Sequence, residues 1–156
     1  MNTYLWKINK EKLNRSNLAS YSNFVEKNYK IDFGNNFNAI WRWSIANTQF
    51  FWKTIWDFTK VKGNLGNTLL HESKVFSENK FFPDSYLNYA ENLLRKNDKD
   101  PAIIFKSENS YKTVLSWQDL NSKVAKVSHW LKLNGLKKGD RVAAYLPNIP
   151  ETVIAY

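Results

Sequence analysis

Cysteine is absent from this 156-residue chain. No disulfide framework and no thiolate metal centre can form, which suits a reducing compartment and sets the expectation of a cytoplasmic protein. Histidine occurs only twice, as His71 and His129, far apart in sequence. An imidazole-rich metal cage is therefore not encoded, and a lone histidine is more often solvated or structural than a ligand. The five glycines are isolated. They make neither a Gly-x-Gly-x-x-Gly turn nor a Walker phosphate loop. Long apolar runs are also missing. Those around Phe50 and Val142 are broken by Lys53 and Pro147, too soon to span a bilayer. Met1 to Lys10 mixes Lys and Asn with its apolar residues, unlike the apolar region of a secretory signal. No internal repeat or low-complexity tract is present.

Aromatic residues are abundant, at 16% with seven Trp, and hydrophobic residues make up 43%. Side chains of this size bury a large area each and need cover. The formal net charge is +9. The lysines are scattered and interleaved with Asp and Glu, without a basic block or an aromatic RNA-reading motif. They read as a solvated basic surface. The alternative, a nucleic-acid or anionic-surface binding module, would show a steep salt dependence.

The first half has helical spacing. Leu18, Tyr21, Phe24 and Val25 predict a helix over 16–30 with Ser16 as its N-cap. Gly34, Asn35 and Asn36 read as a loop. A short helix over 38–45 carries Trp41 and Trp43. A third starts at Asn47 or Thr48, and its spacing puts Phe51, Trp52, Ile55 and Trp56 on one buried face, with Gly63 and Gly66 ending it. These aromatics read as core packing rather than a stacking platform. A short strand is expected within 69–76, a turn at Phe81-Phe82-Pro83-Asp84, and a helix over 86–96 capped by Ser85.

The pattern then changes. Ala102 to Lys106 and Tyr111 to Leu115 predict a hairpin. Ser116 and Asp119 predict a capping box, opening an amphipathic helix through Leu120, Val124, Val127 and Leu131, with Gly135 at its C′ position. Arg141 to Leu146 reads as a strand buried on both faces, and Pro150 suits the first turn of another helix. Strand, helix, strand, helix is α/β alternation. The neighbours such a strand needs are not encoded, so the chain is expected to be truncated within a domain.

Candidate chemistry is sparse. Glu72 with Glu78, and Asp98 with Asp100, are paired carboxylates, and the second pair reads as turn formers. No serine sits in a nucleophile elbow. The residues point to no active site.

Three segments carry a family resemblance. Phe81-Phe-Pro-Asp-Ser-Tyr-Leu-Asn-Tyr-Ala-Glu-Asn-Leu-Leu-Arg95 resembles a stretch of acetoacetyl-CoA synthetases, with Phe81 standing for the usual Trp and Asp84 for the usual Gly. Leu115-Ser-Trp-Gln-Asp-Leu120 is similar to their Leu-Ser-Trp-x-Glu-Leu. Gly139-Asp-Arg-Val-Ala-Ala-Tyr-Leu-Pro-Asn-Ile-Pro-Glu151 matches theirs almost letter for letter. Upstream, Trp43-Ser44, Phe51-Trp52 and Trp56-Asp57-Phe58 look like the same family's helical region. The resemblance implies a mostly helical N-terminal region over 1–80 of acetyl-CoA-synthetase type. Over 81–156 it implies the incomplete beginning of the large α/β AMP-binding domain of the adenylate-forming fold. It also implies an acetoacetate–CoA ligase of lipid and ketone-body metabolism, forming an acyl-adenylate and then acetoacetyl-CoA. ATP, CoA and Mg²⁺ would serve the full-length enzyme, with acetoacetate as a small-molecule substrate and neither nucleic acid nor membrane as partner. Acetyl- or propionyl-CoA synthetase is the nearest alternative. The family's phosphate loop, adenine site, acyl pocket, CoA contacts and catalytic lysine lie beyond Tyr156. No catalytic, cofactor-binding or metal residue is carried over, and this chain alone is expected to be inactive.

Overall fold

The computed structural model describes residues 6–34 and 36–156. They form two compact units that divide between Asn88 and Tyr89.

The first unit is built on four helices, α1 (Lys10–Asn14), α2 (Asn17–Tyr29), α3 (Phe37–Ala46) and α4 (Thr48–Phe58). Ser16 caps α2, its hydroxyl accepting the Ala19 N–H at 3.1 Å, as the sequence predicts. Asn36 caps α3 through Asn38 N–H at 2.9 Å. Asn35 of the predicted loop lies outside the described residues, as do Met1 to Leu5. Tyr21, Val25, Phe33 and Ile40 form the buried core, with Phe24, Trp43, Phe51, Ile55 and Phe58 packed around it. Tyr21 and Val25 are one helical turn apart, so they face the same way. The rings meet edge to face, as with Tyr21 and Phe58 at 5.4 Å, an arrangement that suits the aromatic quadrupole.

The face of α4 is rotated from its expected position. Thr54 is fully buried, whereas Trp52 is 42% exposed. Trp52 packs on Phe81 at 5.8 Å and Trp56 on Phe82 at 5.4 Å, so a loop segment covers this side. The glycines do not end α4. It closes at Thr59, with the Val61 N–H reaching back to Trp56 O and the Lys60 N–H to Asp57 O. That is a Schellman motif with Lys60, at φ 53°, in the left-handed position usually given to glycine.

Gly63 and Gly66 instead allow close approach. β1 (Gly63–Asn64) pairs antiparallel with β4 (Tyr86–Leu87), and β2 (Leu70–His71) with β3 (Lys80–Phe81). A Cβ on Gly63 would lie 2.5 Å from Tyr86 O, and one on Gly66 2.9 Å from Asp84 O. This pairing meets one expectation and corrects another. The strand within 69–76 is only β2, followed by a 3₁₀ turn at Phe76–Glu78. The helix expected over 86–96 shrinks to α5 (Tyr89–Leu93), because Tyr86 and Leu87 are held by the ladder to β1. Arg95 lies beyond its end and donates to Asn92 O at 2.8 Å.

The second unit follows the predicted order. β5 (Pro101–Lys106) and β6 (Lys112–Ser116) make the hairpin, α6 (Trp117–Leu133) packs on it, and α7 (Pro150–Ala155) packs on α6. The capping box is complete. Asp119 N–H donates to Ser116 Oγ at 3.1 Å, and Ser116 N–H donates to Asp119 Oδ2 at 3.2 Å. Gly135, at φ 86°, ends α6 as predicted, with the Leu136 N–H on Leu131 O. Pro150 is the first residue of α7. Leu120, Pro150 and Ile154 are the buried residues of these two helices.

Arg141 to Leu146 is the main departure. It has no regular secondary structure and pairs with no strand, and every residue in it is exposed. Its composition suits a strand with neighbours on both edges; the described residues offer it none.

Candidate functional site

Two places in the chain gather chemistry or unmet bonding capacity. The first is a polar cluster between α2 and α4. Lys53 donates to Asp57 Oδ2 at 2.6 Å, one turn along α4. The Tyr29 hydroxyl donates to the same carboxylate oxygen. Lys53 Nζ lies 3.4 Å from that hydroxyl and 5.6 Å from the Tyr29 ring centre. Burial raises the Asp57 carboxyl, but the hydrogen bonds from Lys53 and Tyr29, with the Lys53 charge, outweigh it and hold the group below its usual range. Burial and then the bond to Asp57 raise the Tyr29 phenol. The bond to Asp57 raises Lys53 against its own desolvation. Each group is thus fixed in its neutral-pH state, phenol, ammonium and carboxylate. None is poised to exchange a proton near neutrality, so the cluster is a clamp between helices rather than an acid–base site. The Lys53–Asp57 spacing is legible in the sequence; the arrival of Tyr29 from α2 is not.

Beside it, Thr54 is fully buried and donates to Phe51 O at 2.7 Å. Its one hydroxyl hydrogen is thereby used, so the 2.7 Å contact with Tyr21 makes the tyrosine the donor. An open hollow of about 480 Å³ is lined by Asn23, Glu26, Lys27, Lys30 and Asp32, polar and charged residues of both signs. It lacks the hydrophobic and aromatic side chains that line most small-molecule sites.

The residues singled out from sequence are kept apart. His71 lies in β2 and His129 on α6, both exposed. Glu78 accepts from the Ser73 hydroxyl at 2.7 Å. Asp98 and Asp100 are turn residues whose carbonyls accept the first N–H groups of α6, from Gln118 at 2.9 Å and Trp117 at 3.1 Å. Among the described residues no group of three or more His, Cys, Asp or Glu could hold a metal ion. No helix of the described residues is long and apolar enough to cross a membrane.

The second place is the stretch from Arg141 to Leu146 itself. Before it, the Lys137–Asp140 turn is closed by Lys137 N–H on Asp140 Oδ2 at 2.7 Å and Asp140 N–H on Lys137 O at 3.1 Å. After it, Ile149 N–H reaches Pro147 O at 2.9 Å, and the Thr152 hydroxyl donates to the same carbonyl. Between these anchors no backbone group from Arg141 to Leu146 has a hydrogen-bond partner among the described residues. The family-like segment Gly139 to Glu151 contains the unpaired stretch itself.

Comparison with known proteins agrees with that placement. The family model of AMP-binding enzymes matches residues 90–156. The acetoacetyl-coenzyme A synthetase of Rhizobium meliloti is 34% identical over 149 residues, which is 96% of this chain and 23% of that protein. The acetyl-coenzyme A synthetase of Cupriavidus pinatubonensis is 37% identical over 114 residues, covering 64% of this chain and 17% of that protein. The solved structure of acetoacetyl-CoA synthetase from Streptomyces lividans superposes with a TM-score of 0.83 at 26% identity, covering 99% of this chain and 24% of that one. The chain thus spans under a third of the length of these relatives, while nearly all of it finds a counterpart in two of them. The AMP-binding enzyme model thus accounts for residues 90–156, and over nearly its whole length the chain is similar in sequence and fold to the N-terminal portion of acetoacetyl-CoA synthetases.

Proposed function

We propose that this chain supplies the N-terminal part of an AMP-forming acid–thiol ligase that activates acetoacetate. The observation carrying this reading is the agreement of two comparisons: sequence over 96% of the chain and fold over 99% of it both lead to acetoacetyl-CoA synthetases. In the whole enzyme, acetoacetate would attack the α-phosphorus of ATP to give an acyl-adenylate and pyrophosphate. The CoA thiol would then displace AMP to give acetoacetyl-CoA. We assign residues 1–80 to the helical N-terminal region and 81–156 to the beginning of the AMP-binding domain. The enzyme would work in the cytoplasm on small molecules, with Mg²⁺ on the phosphates.

The described residues do not themselves fit a magnesium or phosphate site. They hold no acidic cluster, and the chain has no phosphate loop. No step is therefore assigned to a side chain of this segment. Its role is structural: a closed helical unit, then the opening elements of the catalytic domain.

The test is a hybrid in which residues 1–156 replace the corresponding part of the Streptomyces lividans enzyme. Pyrophosphate release is assayed with acetoacetate, acetate and propionate. Activity preferring acetoacetate is the expected result. A preference for acetate would favour the acetyl-CoA synthetase reading, which the 37% identity to the Cupriavidus pinatubonensis protein supports. The 156-residue chain by itself is expected to release no pyrophosphate.

A further inference from the structure

We infer that Asn134–Gly135, the junction at the C-terminal end of α6, is a site of spontaneous deamidation gated by fraying of that helix's last turn.

The chemistry starts from the sequence. The nucleophile is the backbone nitrogen of the residue after the asparagine, and a side chain on that residue crowds its approach. Asn134-Gly135 is the only Asn-Gly pair in the chain; every other asparagine precedes a residue with a side chain. The Gly135 nitrogen gives its proton to solvent hydroxide and attacks Asn134 Cγ. The bond from Cγ to Nδ2 breaks, and ammonia leaves after taking a proton from water, which regenerates hydroxide. The product is a cyclic imide. Water then adds to one of its carbonyls and the bond to the Gly135 nitrogen opens there. Opening at Cγ gives aspartate. Opening at the backbone carbonyl gives isoaspartate, in which the chain runs through the side-chain carbon. Either product bears a carboxylate where an amide stood.

Three features of the structure bear on the site. The first is access. Asn134 and Gly135 are exposed, and no atom beyond the chain neighbours lies within 4 Å of where a Cβ on Gly135 would stand. The second is charge. Lys132, Lys137 and Lys138 lie within three residues of the pair and are exposed. Positive charge there stabilises the deprotonated nitrogen and the oxyanion that forms on Cγ. The third is the gate. Asn134 Nδ2 donates to Trp130 O at 2.8 Å, which folds the amide back along the helix. The Gly135 N–H donates to Lys132 O at 3.1 Å, and the Leu136 N–H to Leu131 O at 3.2 Å. At ψ 14°, Asn134 holds the Gly135 nitrogen eclipsed with its own nitrogen, on the side away from Cβ. The intact cap is thus unreactive. All of these bonds belong to the last turn, where helices fray, and one opening frees nucleophile and amide together.

Reaction makes the opening permanent. The new carboxylate stands at the negative end of the helix dipole and has no donor for Trp130 O. Isoaspartate also adds a carbon to the backbone, which shifts the Leu136 N–H out of register with Leu131 O.

The 156-residue chain is aged at mildly alkaline pH, folded and in urea, then digested with trypsin and read by mass spectrometry. Methyl transfer by an isoaspartyl methyltransferase measures isoaspartate separately. The peptide Leu133–Lys137 is expected to convert from amide to acid before any other asparagine peptide, in part as isoaspartate. Conversion should be at least ~10-fold faster in urea than in the folded chain, since unfolding removes the gate. In the aged protein the amides of Leu133 to Leu136 should exchange at least ~10-fold faster than before. Asn134→Asp, which adds the charge without the extra carbon, should raise their exchange only about 2–5-fold. Asn134→Gln should abolish conversion of this peptide and leave the others unchanged. A folded chain whose Leu133–Lys137 stays intact while another asparagine converts would overturn the inference. Equal rates in the folded chain and in urea would overturn the gate, as would unaltered exchange in the aged protein the consequence.

Discussion

The two units of this chain build cores of different size from similar apolar material. The first buries Tyr21, Val25, Phe33 and Ile40 under a ring of aromatics, though Phe37, Trp41, Ile45 and Phe76 stay exposed. The second buries Leu120, Pro150 and Ile154, and leaves Ile104, Val114, Val142, Tyr145 and Leu146 largely exposed. The difference lies in where partners come from. Helices α2 to α4 follow one another within about forty residues, so their stripes meet by short connections. A strand such as 141–146 satisfies itself only through strands distant in sequence. Core formation is a local matter in the first unit and a long-range one for that stretch of the second.

The sharpest way to break that contrast is to empty the first core. Phe33→Ala should cost about 3–5 kcal/mol, seen as a loss of slow amide exchange in 17–58, with the amides of α6 keeping theirs. Equal loss in α6 would mean that the second unit depends on the first. Next, Gly66→Ala places a methyl 2.9 Å from Asp84 O at φ 78°. It should cost roughly 2–3 kcal/mol, visible as a shifted urea midpoint for the β1–β4 region.

The polar clamp gives a smaller effect with a definite pH signature. The depressed carboxyl of Asp57 adds stability above its unfolded pKa, and that stability is lost as pH falls below about 4. The raised groups Tyr29 and Lys53 add stability at lower pH that is lost as pH rises past about 10. Asp57→Asn should cost about 1 kcal/mol at neutral pH and flatten the acid limb of the urea-midpoint profile. An unchanged acid limb would remove Asp57 from the account. The smallest effect belongs to the second unit. Val142→Ser should move stability by less than about 0.5 kcal/mol, since that side chain is 63% exposed. A loss above 1.5 kcal/mol in the urea melt would show that the segment is covered after all.

Most of this was readable where short-range chemistry decides. Ser16, the Ser116–Asp119 box and Gly135 mark helix ends through bonds within a few residues, and the structure has all of them. The hairpin over 101–116 was legible from its apolar runs. Failures came where distant segments meet. The helical pattern over 86–96 gave way to the ladder between β1 and β4, which joins residues over twenty positions apart. The expected burial of Trp52 ignored Phe81 and Phe82, which reshape that side of α4. Gly63 and Gly66 looked like helix stops because spacing alone cannot show an approaching backbone. The polar clamp was half visible, through Lys53 and Asp57 on one helix. The family motifs pointed to a protein whose reacting groups this chain does not carry.

The uncovered stretch has one more consequence. Proteases bind their substrates as extended chain, with the backbone free to pair and the side chains available to pockets. Arg141 to Leu146 offers free backbone and open side chains without any unfolding, and Lys137, Lys138 and Arg141 stand at its entrance. Cleavage there would detach α7 from the hairpin and helix that precede it. A cell holding this stretch uncovered therefore holds it in a form readily degraded, and how long the polypeptide persists would report how well the stretch is covered.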